Sequence, residues 1–359
     1  MEKIKLGIVG FGFMGHCDAD MMADFDEIDL TAVADTNPKQ LEDAPMGVMT
    51  YPDIDAMLAE ADINVVMIST PNPSHPEMVK KAAAAKKHVI CEKPAAMSVA
   101  EFDEMVAVCK ENGVLFTVHQ QRRWDKDYRI MKEVYDNKMV GDMYIIKSQL
   151  YGVNGNMHDW HIYPEMGGGM LYDWGVHLID QMLDLVESEI SSLYADVQNV
   201  INEYVDDYFK IIMKFKNGVT AEIELGTYYL TPKRAWFIGG NKGSAVIDGF
   251  EGKGEIIRTA HLLENVPGKI TMTAAGPTRS FGPPQPGLLS EEPLPTADVN
   301  HRNYFEHFLK AFRGEEEIVV KPDQVRRVLC VMDAVRESAK TGKAIAFEKY
   351  CRNSQNQGA

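Results

Sequence analysis

Residues 4–9, Ile-Lys-Leu-Gly-Ile-Val, run straight into Gly10-Phe11-Gly12-Phe13-Met14-Gly15, with a helix-compatible stretch after it. An apolar strand, three glycines at this spacing and a helix define a turn with little freedom. Gly10 permits the tight bend, Gly12 lets backbone approach a pyrophosphate, and Gly15 lets helix and strand pack closely. Glycines at such spacing also serve ordinary turns, so the surroundings must decide. Strand 30–34 ends in Asp35, twenty residues beyond Gly15. A carboxylate there accepts hydrogen bonds from ribose hydroxyls. Thr36-Asn37-Pro38 offers no arginine for a 2′-phosphate, and Lys39 is the only nearby cation. The pattern favours NAD over NADP.

Short apolar runs at Ile4–Val9, 30–34, 65–69, His88–Cys91 and 115–118 alternate with helical stretches at 74–85 and Val99–Asn112. That alternation predicts βαβ units and a parallel sheet. Beyond Arg123 the texture changes. Helix 127–137 leads to strand 144–151, helix 168–186, and strands 193–200, Tyr208–Phe215, 220–227, 234–239 and 244–248. Asn217-Gly218 between two of these predicts a tight hairpin. The expected fold is α/β: an N-terminal doubly wound Rossmann sheet, residues 1–122, then an α+β domain, 123–359, with a large open, mostly antiparallel sheet. The proline-rich stretch 264–298 is expected to be a long loop. Helices at 300–313 and Pro322–Thr341 follow, and can pack back on the first domain.

Acidic side chains outnumber basic ones, 53 to 37, which repels phosphate backbones and sets nucleic acid aside as a partner. Five scattered cysteines form no Cys-x-x-Cys pair, so neither a disulfide framework nor a thiolate zinc site is expected. No apolar run has membrane-spanning length, and Met1–Lys5 leads directly into a strand. A reduced, cytoplasmic setting is expected. On a wheel of about 100° per residue, Asp173, His177, Asp180 and Asp184 share one polar stripe of an otherwise apolar helix. Such a stripe faces either solvent or a cleft.

Four signatures occur in order: the glycine loop with Ala34-Asp35; Ser69-Thr70-Pro71-Asn72-Pro73-Ser74-His75; Cys91-Glu92-Lys93-Pro94; and Gly167-Gly168-Gly169-Met170-Leu171-Tyr172-Asp173-Trp174-Gly175-Val176-His177. Together they resemble the Gfo/Idh/MocA family, the glucose–fructose oxidoreductase and inositol dehydrogenase group. Gln121-Arg122-Arg123-Trp124-Asp125 looks like that family's crossover between domains. The resemblance implies NAD held by Gly10 to Gly15, Asp35, Thr36, Ser69, Thr70, Pro71, Asn72, His75, Glu92, Lys93 and Gln121. It implies homodimers or homotetramers formed through the C-terminal sheet.

By the same resemblance His177 is the general base, Asp173 orients its imidazole or contacts substrate, and Lys93 stabilises developing alkoxide charge. The substrate is then a sugar, cyclitol or glycoside, touched by Lys93, Arg123, Tyr151, His158, Trp160, Asp173 and His177. Trp124 and Trp236 are further candidates for stacking on a sugar. His158-x-x-His161 has the spacing of half a metal site, with Asp159 or Glu165, although the family's chemistry proceeds without metal. Three functional readings stay open: net dehydrogenation, NAD-dependent glycoside cleavage through transient oxidation, and a non-catalytic dinucleotide or sugar sensor.

Overall fold

The computed structural model describes residues 3–152, 157–259, 270–279 and 286–350. Strands β1 (Ile4–Val9), β2 (Ile28–Ala34), β3 (Met49–Tyr51), β4 (Val65–Ile68), β5 (His88–Cys91) and β6 (Phe116–Val118) pair in the order β3-β2-β1-β4-β5-β6. Every pairing is parallel. Helices α1 (Phe13–Met22), α2 (Ile54–Glu60), α3 (His75–Ala84) and α4 (Val99–Asn112) make the connections. All four residues of β4 are buried, as a parallel strand covered on both faces requires. Strand order reverses between β1 and β4. Open α/β sheets bind ligands outside the carboxyl ends of their strands at such a point. The three-residue β3 and the seven-residue α2 were not expected from the sequence; both are too short to display a period.

Beyond them come α5 (Lys126–Asp136), β7 (Met143–Tyr151), α6 (Val176–Leu185), β8 (Ile190–Gln198), β9 (Tyr208–Phe215) and β10 (Thr220–Gly226). Then follow β11 (Trp236–Gly240), β12 (Gly243–Ile247), β13 (Gly254–Thr259), β14 (Ile270–Thr273), β15 (Gly276–Arg279) and β16 (Leu289–Glu292). Helices α7 (Arg302–Phe312) and α8 (Pro322–Thr341) lead to β17 (Ile345–Ala346). A nine-stranded sheet runs β16-β13-β12-β11-β7-β10-β9-β8-β17. It is antiparallel apart from the β7–β10 pair. Asn217-Gly218 turns β9 into β10, with Gly218 at φ +92°. Along β9, Phe209, Ile211, Met213 and Phe215 are buried, while Tyr208, Lys210, Ile212 and Lys214 face outward. The outer face carries Tyr194, Ile212 and Phe237 around a Lys147–Glu222–Lys210 ion-pair ladder.

Two expectations are corrected. The stretch 264–298 is not a plain loop: β14 and β15 form a hairpin, and β16 pairs with β13 at the sheet edge. These four-residue strands are largely exposed, so no apolar alternation marks them. Pro267, Pro283, Pro284 and Cys351 lie outside the described residues. Helix 168–186 is not continuous either; Leu171–Gly175 is a π-helical turn leading into α6. Such turns recur at functional sites.

Helices α7 and α8 do return to the first sheet. Thr117 Oγ1 donates to the Val320 carbonyl at 3.0 Å, and Arg326 clamps Asp103 on α4 at 2.7 and 3.1 Å. Cys17, Cys91 and Cys109 are free thiols. Among the described residues no helix is long and apolar enough to cross a membrane.

Candidate active site

The glycine loop sits at the β1–β4 crevice. Gly10 adopts φ +87°, and a Cβ there would lie 2.6 Å from the Ser69 backbone. A Cβ on Gly15 would lie 2.3 Å from the Gly10 carbonyl oxygen. Gly12 opens instead onto space free of any atom within 4 Å. The loop is packed tightly behind and open in front, which fits a pyrophosphate at the start of α1. Asp35 is held by two backbone donors: Phe11 N–H reaches Oδ2 at 2.8 Å and Asn37 N–H reaches Oδ1 at 2.7 Å. The carboxylate is thereby fixed at the carboxyl end of β2, with Thr36 exposed beside it.

Phe13 is exposed and Met14 half-buried on the rim. Ser69 and Thr70 follow directly on β4, and Pro71 is exposed. Asn72 is buried and donates to the Met166 carbonyl at 3.2 Å, tying this loop to the segment ahead of α6. A Cβ on Gly167 would strike that Asn72 amide at 2.6 Å, which explains one glycine of the run. The ring nitrogens of buried His75 lie 2.7 Å from the Thr70 carbonyl and 3.0 Å from the Pro94 carbonyl. His75 therefore braces two loops from within. Glu92 is likewise interior, against His119. Gln121 Oε1 is buried without a partner.

Lys93, Asp173 and His177 come together although the first lies 80 residues from the second. Lys93 Nζ donates to Asp173 Oδ1 and to the Asp173 carbonyl, each at 3.0 Å. Both side chains are partly shielded, which strengthens the pair relative to one in open water. His177 is buried and donates from Nδ1 to Gln120 Oε1 at 3.0 Å. That bond leaves Nε2 as the bare lone pair. Burial first, then the charges of Lys93 and Arg122, hold the imidazole well below its ordinary range. It is a neutral acceptor. The geometry assigns its orientation to Gln120, whereas Asp173 is engaged with Lys93; sequence reasoning missed Gln120 because nothing local marks it.

The lower half of the polar stripe belongs to the interior. Asp180 and Asp184 face Arg123, which was expected at the substrate. The Arg123 guanidinium grips Asp180 in two bonds of 2.7 Å, touches Gln324 at 2.9 Å and lies 3.4 Å from Asp184. Being buried and fully engaged, Arg123 is placed as a structural clamp rather than a substrate contact. Its neighbour Arg122 is the more exposed of the two, stacked 4.0 Å above the Trp174 ring and paired with Asp125 at 3.1 Å. A cavity of about 230 Å³ opens there, lined by Arg122, Tyr151, Trp174, Lys233, Trp236 and Phe250 among others.

Tyr151 borders this cavity and donates to Glu224 at 2.6 Å, with Lys233 4.8 Å above its ring. Trp236 donates to Asp127 at 3.0 Å and Trp124 packs on Tyr304; both are buried. His158 is exposed, 3.6 Å from Asp159. Trp160 stacks on His161 at 3.7 Å. His161 itself, not His158, lies toward Lys93 and Asp173: its Nδ1 is buried without a partner, and Asp173 and Lys93 act on its charge. Among the described residues the His158–His161 pair gathers no third metal ligand.

Residues 4–120 match the NAD-binding Rossmann fold of the GFO/IDH/MocA oxidoreductase family, and residues 128–246 match that family's C-terminal domain. An NAD-binding protein from Listeria innocua has a crystal structure similar to this chain, with a TM-score of 0.86 and 32% identity, over 98% of this chain and 99% of that one. A myo-inositol 2-dehydrogenase from Thermotoga maritima is 24% identical over 62% of this chain and 68% of its own length. A 2,7-anhydro-N-acetylneuraminate hydratase from Escherichia coli is 28% identical, over 72% of each chain.

Proposed function

The chain belongs to the GFO/IDH/MocA oxidoreductase family, and from that premise we propose that it is an NAD-dependent dehydrogenase of a secondary alcohol on a sugar, cyclitol or glycoside. One observation carries the reading: Lys93, in the turn after β5, meets Asp173, in the π-helical turn ahead of α6, at 3.0 Å, beside a buried imidazole with a free Nε2. Bound NAD would supply the hydride acceptor. Lys93 hydrogen-bonds the alcohol oxygen and stabilises the alkoxide charge that develops as its proton leaves. His177 Nε2 takes that proton. Gln120 fixes the tautomer that makes this possible, and Asp173 aims the Lys93 ammonium. Residues 1–122 then serve the dinucleotide and 123–359 the substrate.

The test is an NADH-absorbance screen of sugars, inositols and glycosides on purified protein, which is also sized by light scattering. We expect one class to reduce NAD and a dimer or tetramer formed through the outer face of the large sheet. A protein that binds NADH yet oxidises no member of the panel overturns the dehydrogenase reading. The relationship to the Escherichia coli hydratase supports a second reading, transient oxidation without net turnover of cofactor. That reading predicts product formation with no NADH accumulation. A sensor has no need of the Lys93–Asp173–His177 arrangement, so its retention speaks for catalysis.

Asp35 carries the preference for NAD. In Asp35→Ala, isothermal titration should show NAD affinity falling roughly tenfold or more, the loss of charged hydrogen bonds to ribose hydroxyls, with NADP affinity unchanged or improved. Equal losses for both dinucleotides would remove Asp35 from ribose recognition.

A further inference from the structure

Beneath the glycine loop, three ionisable side chains that the proposed reaction does not use meet in the interior. Asp18 comes from α1, Glu92 from the turn after β5 and His119 from the end of β6. Asp18 and His119 are 0% exposed and Glu92 is 4% exposed. His119 Nδ1 lies 2.5 Å from Glu92 Oε1 and 3.5 Å from Asp18 Oδ1. Ser69 Oγ donates to Asp18 Oδ2 at 3.2 Å, and the Lys93 N–H donates to Glu92 Oε2 at 3.1 Å. Backbone bonds of 2.8 Å, from Glu92 N–H to Ile68 and from His119 N–H to Cys91, fix both residues at adjacent strand ends. The rings of Tyr304 and Phe305 close the chamber at 4.6 and 5.1 Å from His119.

Two acids and one imidazole in a dry interior cannot all take whichever charge they please. A buried charge must be compensated, and two carboxylates facing one imidazolium leave one in excess. The Nδ1 proton can serve one acceptor well, and Glu92 is the nearer. Asp18 Oδ1 is left with no partner. The balanced state is ionised Glu92, imidazolium His119 and protonated Asp18.

We propose that Asp18, His119 and Glu92 form a positioning triad for Lys93, in which an imidazolium shared between two acids pins the Glu92 carboxylate and, through it, the Lys93 backbone. The proposal rests on reading Lys93 as the group that meets the reacting oxygen. It joins the helix of the cofactor loop to Lys93 through three side chains, Asp18, His119 and Glu92, with Ser69 bonded to the first. The electrostatics agree. Burial pushes Asp18 up to about 8 against the pull of His119. Burial presses Glu92 upward, but His119 and Lys93 outweigh it and hold the carboxyl below its usual range. Burial presses His119 down, and Glu92 and Asp18 more than reverse it.

The other groups facing the triad are Cys17 on α1, His75 on α3, which burial holds below its ordinary range, Cys91 on β5, Lys93 itself, Tyr304 on α7 and, farther off, His177. Burial pushes the Cys17, Cys91 and Tyr304 protons to higher pH and keeps His177 neutral. Asp18 is left as the member that changes charge just above neutrality. When it ionises, it competes with Glu92 for His119 and loosens the hold on the carboxylate that receives the Lys93 N–H.

Nuclear magnetic resonance of the full chain, with labelled histidine and lysine, tests this without turnover. His119→Gln identifies the His119 signal and Lys93→Met the Lys93 signal. In the native protein His119 is expected doubly protonated at pH 7, with a further step near pH 8. In Asp18→Asn that step should vanish, and the Lys93 backbone amide signal, which follows the same step in the native protein through its bond to Glu92, should stop moving with pH there. A neutral His119 at pH 7, or a native Lys93 amide signal blind to the step near pH 8, overturns the triad. If Asp18→Asn does not fold, the native His119 spectrum decides alone. None of these readouts depends on the alcohol screen, so either proposal can fail separately.

Discussion

In His177→Ala, dinucleotide binding should stay within about twofold of the native protein, while alcohol oxidation slows by roughly 10²–10⁴-fold, the usual weight of a positioned general base. The loss should appear in kcat, because the imidazole acts on a proton in flight and holds nothing in the ground state. The pH profile carries its own signature. A base works in its neutral form, and burial together with Lys93 and Arg122 keeps His177 neutral well below the ordinary histidine range. The acid limb of kcat/KM is therefore expected below about pH 6.5, the value of an unperturbed imidazole. Steady-state kinetics across pH checks both points. A mutant with native turnover would take His177 out of the mechanism.

Arg123→Ala should cost about 3–5 kcal/mol of stability in urea unfolding, the penalty for stranding one half of a buried ion pair. The stranded partner is Asp180, 2% exposed and held now by two guanidinium bonds of 2.7 Å. Arg123 also reaches Gln324 on α8, so its loss loosens the crossover, α6 and α8 together. Replacing both partners, Arg123→Met with Asp180→Leu, should recover most of the loss, since apolar groups of similar volume need no compensation. If Arg123→Ala instead left stability intact and raised only the KM for substrate, the clamp would be wrong and the substrate contact right.

The parts of this molecule that were legible in sequence are those governed by local backbone needs. Gly10, Gly15 and Asp35 answer to turn geometry and strand ends within one βαβ unit, and the Asn217-Gly218 hairpin likewise. The meeting of Lys93 with Asp173 is a long-range fact, reachable in advance only through resemblance to a family. Arg122 and Arg123 show how sequence reading fails at short range. They sit in a 3₁₀ turn, Gln121–Trp124, where consecutive side chains point about 120° apart. One stacks on Trp174 at the cavity and the other is sealed against Asp180, and nothing in a pair of identical residues tells which is which. The polar stripe failed similarly. The wheel grouped Asp173, His177, Asp180 and Asp184 correctly, but what lies opposite each one divides them: Lys93 and Gln120 for the first two, Arg123 for the others. Gln120 was invisible because its role exists only relative to His177.

The return of α7 and α8 onto the first sheet has a consequence for how the chain is made. Thr117, Asp103 and His119 receive their Val320, Arg326 and Tyr304 partners from segments translated long after them. At about 5–20 residues per second, the ribosome needs roughly ten to forty seconds to pass from residue 122 to α8. For that interval the cofactor-binding unit waits on the ribosome with one flank of its sheet bare and His119 unroofed. It is made well before the helices that seal it, so a chaperone or a bound dinucleotide has its greatest leverage on the yield of folded protein during that wait.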